Sequence, residues 1–205
     1  MSKDIIRLRP IGADETEAAV GVLARGMRDN PGHVAAFGPD PETRQRCLDL
    51  MFRGLFRVAG QRETVGAFDG ETLVGVAASA PPGECRLRVG QQARAAATMI
   101  NIGPRRLLRV LAWQSAWGRQ HPDWPHHHFG PIAVDRGRQG QGIGSLIMNE
   151  FADRWDRTAE PAYLETDKSE NVAFYRRHGF TVIGEAPVLG RPNWFLRRPG
   201  LSTAH

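Results

Sequence analysis

Hydrophobic positions along the chain switch between a helical and a strand period, and the switches mark the elements. Residues 4–9 (DIIRLR) predict a short strand, ended by Pro10. Asp14 is a good N-cap with Glu17 three residues on, which predicts a helix to about Arg28, broken by Asn30-Pro31-Gly32. A second helix starts from Asp40 as cap with Pro41 in its first turn, and Leu48, Met51, Phe52, Leu55 and Phe56 form one apolar stripe before Gly60 closes it. The period then falls to two. Residues 64–68 and 72–80 are β runs joined by Asp69-Gly70, a hairpin signal, and Pro81-Pro82-Gly83 stops the second.

Residues 90–118 return to helical composition, interrupted at Gly103-Pro104, with Leu107, Leu108, Leu111 and Trp113 on the apolar side. The stretch His121-Pro122-Asp123-Trp124-Pro125 suits no regular element. A central strand is predicted over 126–134. A turn with three glycines follows, then a helix opening at Gly142 or Gly144 whose stripe is Ile143, Ile147, Phe151 and Trp155, with Leu146 alongside. Residues 162–165 form a short buried strand, parallel to the previous one through a right-handed crossover. A short helix over 171–177, N-capped by Asn171 and stopped by Gly179, precedes closing strands at 180–184 and 193–197. The order predicts one α/β domain over 1–205, with a helical insertion at about 83–125 that interrupts the β/α pattern on the substrate side.

Composition narrows the function classes. The chain has 205 residues, 41% hydrophobic and 24% charged, as in an ordinary globular protein. No apolar run approaches the roughly 18 residues of a membrane helix, and the first ten residues carry no apolar core of a signal peptide, so no membrane partner and a cytoplasmic location are expected. Cys47 and Cys85 lie far apart without metal-type spacing, which predicts two reduced thiols. The net charge is +5, nearly all of the cations being arginine, yet they are scattered in pairs. A nucleic-acid surface needs a concentrated basic stripe with interleaved aromatics, so no nucleic-acid partner is expected.

The turn after the central strand carries the chemistry. Gly140, Gly142 and Gly144 recur at every second position before a helix, and such a turn aims bare backbone N–H groups at an anion. A dinucleotide fold is excluded by the G-x-G-x-G spacing and the late position, and a Walker loop by the absence of a nearby lysine.

The stretch IAVDRGRQGQGIGSLI resembles the coenzyme A-binding signature of the GNAT N-acetyltransferase superfamily, Q/R-x-x-G-x-G/A, here Gln139, Gly142 and Gly144. A second match, YLETDKSENVAFYRRHGFTVIGE, resembles that family's late strand–helix–strand unit at Asn171, Phe174-Tyr175 and Gly179-Phe180. Within the superfamily the context looks most like the puromycin N-acetyltransferase group. The resemblance implies a single-domain mixed α/β fold: a twisted sheet of about seven strands, splayed between the central strands, with helices on both faces.

It also implies acetyl-CoA as cosubstrate, with no metal. Ile132, Ala133 and Val134 would grip pantetheine in the splay. Arg138, Gln139, Gly140, Gln141, Gly142, Ile143, Gly144 and Ser145 would cradle the pyrophosphate, and Asn171 and Phe174 would contact the cofactor. The N–H near Val134 would stabilise the oxyanion. Tyr175 falls where the thiolate leaves, a phenol of ordinary pKa about 10 able to protonate it. Arg136 stands where relatives often have proline and would bring a cation toward the cofactor.

The base that takes the amine's proton is open between His128, with His126 and His127 behind it, and Glu165 acting through water. Strand alternation puts His126 and His128 on one face and His127 on the other, so these three adjacent histidines do not make a zinc site. Cys47 and Cys85 lie outside the motifs, which disfavours a covalent acyl intermediate. The expected activity is acetyl transfer to the primary amine of a small molecule by direct attack in a ternary complex, from a monomer or homodimer. Trp113, Trp117 and Trp124 hint at an aromatic or amphipathic amine as acceptor, or else sit in the core. A coenzyme A-binding sensor without turnover, and a protein (lysine or N-terminal) acetyltransferase, stand as alternatives.

Overall fold

The computed structural model describes residues 6–58, 63–85 and 89–201. In chain order these form β1 (Arg7–Pro10), α1 (Thr16–Met27), α2 (Pro31–Phe37), α3 (Pro41–Val58), β2 (Glu63–Asp69), β3 (Thr72–Ala80), α4 (Val89–Thr98), α5 (Pro104–Gln120), β4 (His127–Val134), α6 (Ile143–Thr158), β5 (Ala162–Thr166), α7 (Ser169–Arg177), β6 (Thr181–Val188) and β7 (Arg191–Arg198). The strands make one seven-stranded sheet in the order β1-β2-β3-β4-β5-β7-β6. Every neighbouring pair is antiparallel except β4 and β5, which run parallel through the α6 crossover.

Helices cover both faces, because the strands alternate their apolar side chains. Val76 and Ala133 face a core built by Val20, Leu23, Leu48, Phe52 and Trp113 from α1, α3 and α5. Ala77, Phe129 and Leu164 face the α6 core, where the expected stripe of Ile143, Ile147, Phe151 and Trp155 is fully buried. Leu146 stays exposed.

Local signals explain most boundaries. The Thr43 N–H donates to Asp40 Oδ2 at 2.7 Å, so Asp40 caps α3 as expected. β2 and β3 pair from Asp69↔Thr72, and Gly70 adopts φ +59° in the turn. Elsewhere the structure corrects the expectations. The predicted cap Asp14 lies in a 3-10 turn (Ala13–Glu15), and it is Glu15 that reaches back to the Gly12 N–H at 2.9 Å. Asn30-Pro31-Gly32 starts a helix instead of only ending one, since a proline at the first helical position needs no N–H partner. Pro10 lies within β1, paired with Val65; its first predicted residues, 4 and 5, and the helix stop at Gly60 lie outside the described residues. On α5 the buried side is Val110 and Trp113, whereas Leu108 and Leu111 are exposed. That helix faces α2 and β6, a direction the local period does not encode.

α1 is pinned against the end of β4. Arg25 donates to both oxygens of Asp135, at 2.9 and 2.7 Å. Asp29 accepts from Arg28 and Arg44 and pairs with Arg136 at 2.6 Å, and the Arg28 bond first, then burial's opposing effect and Arg44, leave its carboxyl well below the usual range. Gly26 is the close approach: a Cβ there would lie 2.8 Å from Ala133 Cβ and 2.9 Å from the Val134 carbonyl oxygen. Gly26→Ala is therefore expected to destabilise the protein by about 1–3 kcal/mol through overpacking, read as a lower Tm; an unchanged Tm would contradict this packing.

Candidate active site

β4 and β5 pair only at their beginnings, His127↔Ala162 and His128↔Tyr163. Past that point β4 stays with β3 while β5 stays with β7, and the sheet opens. β4 also carries a bulge: register passes from Ser79↔Phe129 to Ala77↔Ile132, so β4 takes an extra residue at Gly130-Pro131. Hydrogen-bonded and non-bonded pairs alternate in an antiparallel ladder. The Asp135 N–H donates to the Val74 carbonyl at 2.8 Å, so Val134, opposite Gly75, belongs to a non-bonded pair. Its N–H and C=O therefore point away from β3, into the opening.

The glycine turn meets this opening. Gly140 and Gly142 adopt φ +77° and +83°, which side-chain-bearing residues rarely take, and α6 begins at Ile143. Its first-turn N–H groups lack intrahelical acceptors and carry the positive end of the helix dipole. Gln139, Gly140, Gln141 and Gly142 are exposed, while Ile143 is buried. Around them the side chains are engaged: Gln139 donates to the Val134 carbonyl at 3.0 Å, Gln141 to the Gly137 carbonyl at 3.3 Å, and Arg138 pairs with Asp69 at 2.6 Å. A Cβ on Gly144 would lie 3.8 Å from Phe174 and 4.0 Å from Val134, so β4, the turn and α7 converge there.

On α7, Tyr175 is buried against Phe174 and Phe180. Burial first, then the charges of Asp167 and Glu165, push its phenol above the ordinary value, so it stays protonated at neutral pH. Asn171 does not cap α7. It sits inside the first turn, where its Nδ2 donates to Thr166 Oγ1 at 3.3 Å, because the helix begins two residues earlier, at Ser169.

The two candidate bases prove to be one unit. His128 Nε2 lies 2.8 Å from Glu165 Oε2. Burial, the largest single effect, opposes charge on Glu165, yet His128 together with His121 and Tyr163 outweighs it and holds the carboxyl below its usual range. An ionised carboxylate only accepts, so Nε2 carries a proton, while Nδ1 is buried without a hydrogen-bond partner. Strand alternation holds: His127 turns to α6, packing at a tilt against Trp155 and bonding Glu160 at 2.7 Å, while His126 and His128 cluster with Tyr163 and His121. Of the tryptophans, Trp113 is core and the Trp117 Nε1–H donates to Asn193 at 2.9 Å. Trp124 lines a cavity of 420 Å³ with Pro82, Gly83, Pro122 and Pro125.

The chain is similar to known proteins in part of its sequence and in its fold. Residues 109–182 match the model of the acetyltransferase (GNAT) domain. The fold is that of the acetyltransferases. An acetyltransferase of Corynebacterium glutamicum, described as histone acetyltransferase HPA2 and related, superposes with a TM-score of 0.72 at 21% identity over 97% of this chain and 99% of that one. The PaiA N-acetyltransferase of Thermoplasma acidophilum, solved with coenzyme A, gives 0.59 at 11% identity over 95% and 99%. An agmatine N-acetyltransferase variant gives 0.60 at 14% identity over 95% and 99%. Among the described residues no helix is long and apolar enough to cross a membrane.

The pair is directly testable. Glu165→Ala should move the His128 Nε2–H proton resonance upfield in NMR spectra, because its hydrogen bond to a carboxylate is lost; an unchanged resonance would mean that the pair does not exist in solution.

Proposed function

We propose that the protein transfers an acetyl group from acetyl-CoA to a primary amine of a small molecule. The observation that carries this reading is the opening between β4 and β5, with the backbone of Val134 facing it and the glycine turn at its rim. On this reading the pyrophosphate sits on the N–H groups at the start of α6, between Gly140 and Ser145, and pantetheine runs beside Ile132, Ala133 and Val134 toward Phe174. Arg138 and Gln139 would have to exchange Asp69 and the Val134 carbonyl for the cofactor.

The chemistry is a direct displacement. The amine's lone pair attacks the thioester carbonyl while the Val134 N–H holds the oxygen as it gains charge. His128 Nδ1 takes the proton from nitrogen, and Glu165 orients the ring and stabilises the imidazolium, in place of a carboxylate acting through water. The C–S bond breaks and the sulfur takes a proton from Tyr175, which is restored from solvent. A raised phenol pKa keeps that proton in place until the sulfur becomes anionic. The 420 Å³ cavity on the histidine side has the size of a small-molecule pocket and supports a compact acceptor. The puromycin-type resemblance is consistent with that acceptor class.

Release of free coenzyme A thiol from acetyl-CoA across a panel of small amines tests the reading. Turnover is expected with at least one amine, and Tyr175→Phe should lower kcat by about 10²–10⁴-fold with acetyl-CoA binding retained. Tight coenzyme A binding without turnover on small amines or peptides would instead identify a sensor.

A further inference from the structure

We propose that Cys85, His121 and His126 form a binding site for a borderline-soft divalent cation of the zinc class. The three side chains come from separate places, just beyond β3 and at the two ends of the irregular segment before β4. Their ligand atoms all lie within 4.8 Å of one another. Bonds of about 2.0–2.3 Å around a tetrahedral ion set donors about 3.5 Å apart, so a contraction of about 1 Å closes the site.

Both rings are already in the ligating tautomer. His126 Nδ1 donates to the Trp124 carbonyl at 2.7 Å and His121 Nδ1 to the Pro122 carbonyl at 3.0 Å. A carbonyl only accepts, so each Nδ1 carries the proton and each Nε2 presents a lone pair. A second ring nitrogen bonded to a backbone carbonyl is the usual support of a metal-bound imidazole. His126 is 2% exposed, and its Nε2 has no hydrogen-bond partner despite being buried. Such an orphaned lone pair is costly unless something fills the position.

Two imidazoles and one thiol select zinc-class ions over calcium or magnesium, which prefer oxygen. On binding, the Cys85 thiol loses its proton to solvent and the thiolate becomes the ligand. The three residues also line the cavity that holds Trp124, so the fourth position is open to water from it. The ion would clasp the chain leaving β3 to the segment entering β4, fixing the wall of that cavity.

The test is metal binding by the full chain after dialysis against a chelator. Titration with Zn²⁺ against a chromogenic competitor should give one ion per chain, and Co²⁺ should give a thiolate-to-metal charge-transfer band. Cys85→Ser should abolish the band, and His126→Ala should weaken Zn²⁺ binding at least tenfold. Absence of the band in the unsubstituted chain, its survival in Cys85→Ser, or unchanged Zn²⁺ affinity in both variants overturns the proposal. None of these readouts depends on acetyl transfer, so the site stands or falls apart from the proposed activity.

Discussion

The parting of β4 from β5 is the constraint on which the rest depends. Two strands that stay paired satisfy each other's backbone, and nothing can enter. Here pairing stops after His128 and Tyr163, and β4 bulges at Gly130-Pro131 on its other edge. The backbone at Val134 is left facing a slot, and polar backbone turned toward a slot must find a ligand, a side chain or water. Gln139 supplies part of that need for the Val134 carbonyl.

Holding a sheet open requires support from its two faces. Below the slot, α1 is fastened to the strand end by Arg25–Asp135 and by the glycine contact at Gly26. Asp29 links the end of α1 to the turn through Arg136, a use for that arginine different from approaching the cofactor. On the other face α6 presses Ile143 and Ile147 within 3.1 Å of a Cβ built on Gly75. The same helix that closes the core thus aims its positive end at the slot.

The parts legible in the sequence were those whose causes are local. The α6 stripe, the Asp69-Gly70 hairpin and the cap at Asp40 depend on neighbours a few residues away. What escaped depends on partners far along the chain. The sides of α5 are chosen by what it packs on, so Leu108 and Leu111 face outward despite their spacing. Asn30-Pro31-Gly32 reads locally as a helix break, yet Pro31 opens α2, because proline both ends and begins helices. His128 and Glu165 could each be singled out, but only the β4–β5 register shows that one holds the other. The Cys85, His121 and His126 cluster carried no spacing signal, since its members meet through a strand exit and a loop.

The central claim is that the slot between β4 and β5 receives the acetyl donor. A crystal structure with acetyl-CoA tests it most directly. The account predicts pantetheine lying between the strands, the pyrophosphate on the N–H groups at the start of α6, and the thioester oxygen at about 2.7–3.2 Å from the Val134 nitrogen. A cofactor bound elsewhere, with β4 and β5 closed on one another beyond His128, would contradict it.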